Sequence, residues 1–477
     1  MLGRTRHIHF VGIGGSGMCG IAELLANLGY VVSGSDLVRS AVIDRLETIG
    51  VAVHIGHDPS LVQQADVVVV SSAVTEQNEE VTEAKRRQVP VIPRAEMLAE
   101  MMRLRYGIAV SGSHGKTSVT SMIALVLERG GLDPTAVIGG RLSAFGSNAR
   151  LGRGNYMVAE ADESDRSFLK LSPAIAVITN IDYEHLDLYG TFDRLREAFL
   201  DFANAVPFYG ATVACADDEH VRQLLPRMTR RVITYGLDEA HGADVRGTSV
   251  QLRRFGASCE VRVRAAGAGP SDASGGLHLQ VPGHHNLRNA LAAVVVGLEV
   301  GVAFDCIADA LAEFRGVERR FQLRGEVGDV MVIDDYGHHP TEIRAVLAAA
   351  RAGWDRRVIL VFQPHRYTRT SRLLDEFGTA LAEADEIVLT EVYEAGETPI
   401  PGATAAAMAA AVRQAGQSHV RVVESLEDVA DVVLGLVRAG DLVITLGAGS
   451  IGDVAGTIVG RLESARQAGA GRKERRG

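Results

Sequence analysis

Twice in this chain a short run of β-branched residues breaks into glycines and passes straight into a helix-forming stretch. This happens at FVGIGGSGMCG, residues 10–20, and at VSGSHGKTSV, residues 110–119. A strand that runs at once into a helix does not close a tight hairpin; it commits the chain to crossover connections and so to a parallel sheet covered by helices. The pattern recurs. YVVSGSD, ADVVVVSSAV, YMVAEAD, AIAVITNID, ATVACADD, VMVIDDYGHHP, RVILVFQPHRYTRT, EIVLTEVY and LVITLGAGSIG are apolar runs that end in polar or glycine-rich residues. Such ends line the carboxyl edge of a parallel sheet, where ligands bind.

A chain of 477 residues exceeds one core, and at ~100–200 residues per domain two to four are expected. Pattern breaks divide it into an α/β architecture of three domains. Residues 1–103 form a Rossmann-like domain, residues 104–315 a central domain of the P-loop ATPase type, and residues 316–465 a second Rossmann-like domain. The Gly-, Ala- and Ser-rich stretch 241–280 reads as hairpins on the central domain, and the charged tail 466–477 reads as disordered. Hydrophobic residues at 47% and a formal net charge of -10 describe a globular protein and argue against a general nucleic-acid binder. Cys19, Cys215, Cys259 and Cys306 form no C-x-x-C pair, which fits a reducing cytoplasm. No apolar run approaches the ~18 residues of a membrane span. A cytoplasmic protein without a membrane partner is expected.

In the first loop Gly12, Gly14 and Gly17 satisfy G-x-G-x-x-G, and Asp36 closes the next strand about 20 residues on. This is close to a dinucleotide fingerprint; a structural turn or another nucleotide diphosphate remain alternatives. In the second, Gly112, Ser113, His114 and Gly115 make a turn before the helix that opens with Lys116, Thr117 and Ser118. Successive backbone N–H groups at a helix N-terminus favour phosphate. Lys116 is placed to reach the β/γ-phosphates of ATP, and the Thr117 hydroxyl to ligate Mg2+. The match to G-x-x-x-x-G-K-[ST] is imperfect, because position 110 is Val. A hydride-transfer enzyme has no need of the second loop, nor a kinase of the first. The combination favours an enzyme with a nucleotide-linked substrate in one domain and ATP in another.

Other strand ends supply further candidates. VAEADESDRSF sets carboxylates at 160, 162, 163 and 165, with Glu160 as the expected Mg2+ ligand. TNIDYEHLDLYG offers Asn180 for a phosphate and His185 for a second metal or a structural role. GHHNLRNALAA starts a helix with Asn286 and Asn289 three apart on one face, placed either to read an adenine edge or to cap. DDYGHHPTE brings Asp335, Tyr336 and His338 to a loop opposite PHRYTRT. Arg366 and Arg369 there suit a bidentate clamp on carboxylate or phosphate, or a surface ion-pair network.

In this order, VGIGGSGMCGIAE, GSHGKTSVTSM, EADESDRSF, TNIDYEHLD, GHHNLRNALAA, GVERRFQ, DDYGHHPTE, QPHRYTRT and EVYEAGETPIPG resemble the Mur ligase family over nearly the whole chain. The resemblance implies an ATP-dependent ligase that joins L-alanine to the lactyl carboxylate of UDP-N-acetylmuramate through an acyl phosphate. It implies that Gly14, Gly15, Ser16 and Gly17 hold the uridine diphosphate rather than NAD, with Asp36, Ser71 and Ser72 near the uridine. The GSHGKT loop would hold ATP, with Lys116, Asn180, His185 and His338 in the catalytic machinery. Thr117 and Glu160 would bind one metal, and His185 would help a second. His285, Asn286 and Asn289 would surround adenine, and Arg320 and Asp335 would reach ATP. Tyr336, His338, Arg366 and Arg369 would recognise the alanine carboxylate and the sugar side.

One departure stands out. Several members carry a carbamylated lysine shortly after the H-x-D stretch, yet HLDLYGTFDRLREAFLDFA contains no lysine, so a second metal here must use other groups. The rivals are a relative that attaches a preformed peptide to the same sugar nucleotide, an NAD-dependent oxidoreductase, and a non-catalytic nucleotide-binding regulator. A monomer or weak homodimer is expected.

Overall fold

The apolar runs pair into three sheets in the computed structural model of the chain, which describes residues 3–71, 73–142, 147–264 and 274–474. Ser72 and the side chain of Ser16 lie outside what is described. The first sheet comprises β1 (His7–Val11), β2 (Val31–Asp36), β3 (Ala52–Ile55), β4 (Val67–Val70) and β5 (Val91–Pro93). Its order is β3-β2-β1-β4-β5, parallel throughout. Side chains alternate between its two buried faces. Ile8, Phe10, Val67 and Val69 join one apolar cluster, Val11 and Val68 another. Burial on both faces is why the fourth strand is an unbroken valine run.

The second sheet has ten strands: β6 (Tyr106–Ser111), β7 (Thr135–Leu142), β8 (Ser147–Arg150), β9 (Tyr156–Glu160), β10 (Ile175–Ile178), β11 (Ala211–Cys215), β12 (Val232–Gly236), β13 (Val245–Arg253), β14 (Gly256–Val263) and β15 (Gly275–Leu279). They lie in the order β15-β14-β13-β12-β11-β10-β6-β9-β7-β8. β6 is flanked in parallel by β10 and β9. The chain therefore leaves β9 on one side of β6 and returns as β10 on the other, so the loops after β6, β9 and β10 open onto one crevice.

The third sheet comprises β16 (Gln322–Val327), β17 (Val330–Asp335), β18 (Val358–Phe362), β19 (Glu386–Thr390), β20 (Val420–Val423) and β21 (Leu442–Leu446), in the order β16-β17-β21-β18-β19-β20. Only β16 runs antiparallel. Ile333, Leu360 and Phe362 pack on one face, and Val332, Ile359 and Val361 on the other. The expected three α/β domains with mostly parallel sheets are what the chain forms.

Packing groups these domains into two units. Residues 1–251, 258–280 and 285–315 make the first, and residues 252–257, 281–284 and 316–477 the second. Within the first, one apolar cluster runs from Ile8 and Phe10 through Met97, Leu98 and Met101 to Phe168, Phe199 and Phe202, so the first two sheets share a core. The expected boundary at residue 466 falls inside a helix: Ile451–Glu474 runs past it, the stretch being rich in the good helix formers Ala, Gln, Arg, Lys and Glu, and residues 475–477 lie outside the described residues. No helix among the described residues is long and apolar enough to cross a membrane.

Candidate active site

In the first domain the loop after β1 meets the ends of β2 and β4. Gly12 has φ 79°, and a Cβ there would lie 3.3 Å from Ser71 Oγ. The Gly12 and Ile13 amides donate to the Ser35 carbonyl at 2.8 and 3.0 Å, and the Gly14 amide donates to Asp36 Oδ2 at 2.8 Å. The helix Ser16–Asn27 that follows has no side-chain cap and no acidic residue in its first turn, which leaves its N-terminal amides for an anion. Gly14, Asp36 and Ser71 thus all lie against this loop. Asp36 also braces that loop.

In the second loop, Gly112 with φ 139° and Gly115 with φ 84° carry the chain from β6 into the helix Lys116–Arg129. A Cβ on Gly112 would come within 3.0 Å of the Asn180 carbonyl oxygen, and one on Gly115 within 2.8 Å of Asn289 Oδ1. The helix again starts without a side-chain cap or a first-turn acid. The loop is tied to the segment after β10. Asn180 Oδ1 accepts the His114 amide at 2.8 Å, and its Nδ2 donates to the His114 carbonyl at 2.9 Å. Thr179 Oγ1 donates to that carbonyl at 2.6 Å. The Asp182 amide donates to Ser113 Oγ at 2.8 Å, and the Asp182 carboxylate meets His114 Nε2 at 3.0 Å.

Lys116 curls back over this loop. Its Nζ donates to the Gly112 carbonyl at 2.7 Å and to Glu163 Oε1 at 2.8 Å. Burial works to lower the ammonium's pKa, but Glu163 and Asp162 outweigh it and hold it above the ordinary lysine value. Burial pushes the Glu163 carboxyl up against the pull of Lys116; at 2.8 Å the amine keeps its proton. Glu163 is 1% exposed, and its second oxygen is buried without a hydrogen-bond partner. His185 Nε2 stands 3.7 Å from Glu163 Oε1 and 3.4 Å from Glu184 Oε2. Donor atoms of Glu163, Glu184 and His185 all lie within 4.8 Å of one another. Two carboxylates and an imidazole around an orphaned carboxylate oxygen fit a divalent cation, and hard oxygen donors suit Mg2+. Glu160 ends β9 opposite Val110, and Thr117 opens the neighbouring helix.

In the second unit the loops after β17, β18 and β19 gather aromatic and cationic groups. Tyr336 meets His338 edge-on at 5.7 Å, His338 lies 5.5 Å from His365, and His365 stacks on Tyr393 at 5.4 Å. The Arg320 guanidinium lies 5.2 Å over the Tyr336 ring, and Arg369 Nη1 approaches His365 at 3.4 Å. Among the described residues no hydrogen bond or ion pair ties down the Arg366 guanidinium. Asp335 is 6% exposed; its oxygens accept the amides of Phe321 and Gly337, each at 2.7 Å. Burial pushes its pKa up to about 6, with Arg320 opposing.

Three family descriptions cover most of the chain. The Mur ligase family catalytic domain matches residues 7–106, the Mur ligase middle domain residues 110–297, and the Mur ligase glutamate ligase domain residues 319–449. The UDP-N-acetylmuramate–L-alanine ligase of Geotalea daltonii is 52% identical over 465 residues, 98% of this chain and 100% of that protein. The chain belongs to the Mur ligase family. Among solved structures, the UDP-N-acetylmuramate-alanine ligase of Thermotoga maritima matches with a TM-score of 0.80 at 29% identity, over 97% of this chain and 100% of that one. A murein peptide ligase of Psychrobacter arcticus shares the fold, with a TM-score of 0.70 at 24% identity over 96% of this chain and 98% of that one.

Within this Mur ligase several of the expected site residues are engaged by the protein itself. Asn180, expected at the γ-phosphate, has both ends of its amide engaged by His114. Asp335, expected at ATP, accepts one backbone amide at each oxygen, from Gly337 in its own loop and from Phe321 ahead of β16. The donor atoms that converge with His185, expected at a second metal without named companions, belong to Glu163 and Glu184. Asn286 and Asn289 are each 8% exposed, the Asn289 amide donates to Asn286 at 3.5 Å, and Asn289 lies against Gly115 of the second glycine loop. Glu163, Glu184, Thr179, Asp182, His365 and Tyr393 carried no assigned role. All lie inside the motifs, but nothing local in the chain says which acid of EADESD faces the lysine.

Proposed function

We propose that this Mur ligase joins L-alanine to the lactyl carboxylate of UDP-N-acetylmuramate, driven by ATP. The observation that carries the reading is Lys116 at an uncapped helix N-terminus, held 2.8 Å from a buried glutamate within a carboxylate–imidazole cluster. The 52% identity to an alanine-adding relative over 98% of the chain supports alanine as the acceptor. A carboxylate oxygen of the sugar substrate attacks the γ-phosphorus and ADP leaves, giving an acyl phosphate. The alanine amine then attacks the acyl carbon, loses a proton, and expels phosphate.

Little covalent chemistry falls to the protein, so positioning and electrostatics supply the rate. The amides at the start of the Lys116 helix receive the phosphates. Lys116 moves its charge from Glu163 to the transferring phosphoryl group. Thr117 and Glu160 would hold one Mg2+, and His185 with Glu163 and Glu184 would support a second, since the stretch after H-x-D offers no lysine. Mg2+ bound there would supply positive charge against the phosphate oxygens. Gly14, Gly15, Ser16 and Gly17 take the uridine diphosphate, with Asp36, Ser71 and Ser72 towards the uridine. Asn289 and His285 serve the adenine side. Tyr336, His338, Arg366 and Arg369 select the amino acid. The enzyme works in the cytoplasm, as a monomer or weak dimer, in making peptidoglycan precursors.

The test is phosphate release from Mg·ATP with UDP-N-acetylmuramate, with and without L-alanine, alongside Lys116→Ala. Release that requires both substrates and vanishes in the variant is expected. Release driven equally well by a preformed peptide would shift the acceptor to that of the peptide-attaching relatives.

A further inference from the structure

Arg94, the first residue of the helix Arg94–Met102, lies between the first glycine loop and the acidic loop after β9. A Cβ built on Gly17 would fall 2.9 Å from the Arg94 Cζ and 3.2 Å from its Cδ, so the guanidinium rests on the first turn of the helix Ser16–Asn27. Gly17 does not need the left-handed backbone; the neighbouring arginine accounts for the missing side chain. On its other side Arg94 Nη2 stands 3.6 Å from Asp162 Oδ2. Asp162 belongs to the acidic loop after β9 and also feels the Lys116 charge.

This arrangement sets like against like. A helix N-terminus carries a partial positive charge, this one has no side-chain cap and no first-turn acid, and a full cation is packed onto it. The pair with Asp162 is long, and its side chains are 26% and 37% exposed; such a pair adds little stability. What resolves the repulsion is an anion held by both the helix amides and the guanidinium, and a diphosphate matches that planar fork with paired oxygens.

We infer that Arg94 is a substrate-binding residue that closes on the diphosphate of the nucleotide sugar across Gly17. Asp162 holds the guanidinium when no diphosphate is there. The inference rests on the first loop being the diphosphate site.

The experiment compares UDP and uridine binding to the full-length protein, by calorimetry for UDP and ligand-observed NMR for uridine. In Arg94→Ala, UDP binding is expected to weaken by about tenfold or more, as for a lost charge-assisted bidentate contact. Uridine and ATP binding should stay within about twofold of wild type, and Arg94→Lys should recover part of the loss. Gly17→Ala keeps Arg94 but displaces its guanidinium, and should weaken UDP without weakening uridine. Undiminished UDP binding in Arg94→Ala would overturn the inference, as would equal loss of UDP and uridine. A wild-type protein that bound no UDP would instead remove the reading of the first loop.

Discussion

Asn180 holds His114 at both ends, its Oδ1 accepting the His114 amide at 2.8 Å and its Nδ2 donating to the His114 carbonyl at 2.9 Å. A side-chain amide can pair in this way with the backbone N–H and C=O of a single residue. Here that residue lies in the middle of the loop proposed to receive the phosphates of ATP. Asn180→Ala leaves the loop shape resting on Thr179 and Asp182. A loss of about 1–3 kcal/mol of stability is expected, with a rise in KM for ATP and little change in KM for the sugar nucleotide. Steady-state kinetics with each substrate varied in turn will show the split.

Lys116→Ala removes the cation from Glu163, which is 1% exposed. Breaking a buried pair from one side costs about 3–5 kcal/mol, and the lower end applies because Lys116 is 19% exposed. Alanine-dependent phosphate release should vanish. Lys116→Ala combined with Glu163→Gln should regain most of the stability and none of the activity. Urea denaturation beside the phosphate assay separates the two effects.

Asp335 titrates in the folded protein at about 6 against an ordinary value of 3.8, because burial disfavours its charge. The folded state therefore binds the proton more tightly than the unfolded state. Its contribution is present below pH 4 and is lost as pH rises through about 6, amounting to about 3 kcal/mol across that window. Asp335→Asn should flatten stability against pH between 4 and 6. Urea midpoints taken across that range check the slope.

Glu80 shows the opposite sign. It is fully buried, and accepts from His9 Nε2 at 2.9 Å, Ser35 Oγ at 2.9 Å, His57 Nδ1 at 3.0 Å and the Asp58 amide at 3.2 Å. Burial raises its pKa, but the bonds from His9, Ser35 and His57 overcome this and leave it below 4.5. Its stabilisation is thus present above the ordinary carboxylate range and is lost as pH falls through the lower folded value. Glu80→Ala strands several donors at once and should cost at least about 3 kcal/mol. Since the Ser35 carbonyl holds Gly12 and Ile13, affinity for UDP should fall with it. Acid denaturation and UDP calorimetry on the variant test both halves.

Much of this was legible before any fold was known. A β-branched run ending in glycines needs no partner to announce a β–α turn, because the backbone conformation at Gly12, Gly112 and Gly115 is a local property. The lysine at a helix start is equally local. Glu163, by contrast, is one of four acids in six residues, and which of them meets Lys116 depends on how the turn after β9 folds beside β6. His365 was in view within PHRYTRT, yet its partners His338 and Tyr393 arrive from other strands. Arg94 was invisible for the same reason: nothing near VIPRAEML points to Gly17.

The three α/β domains, the two glycine-rich strand-to-helix loops and the family could be read from the chain alone, because periodicity, glycine placement and motif order are written along it. The tertiary structure alone decided which side chains are tied to the loops and which remain for ligands. Asn180 and Asp335 went to backbone amides, Glu163 to Lys116, and Arg94 to the space beside Gly17. The physical reason is that pairing and desolvation act between residues brought together through space, and parallel crossovers join residues far apart in the chain.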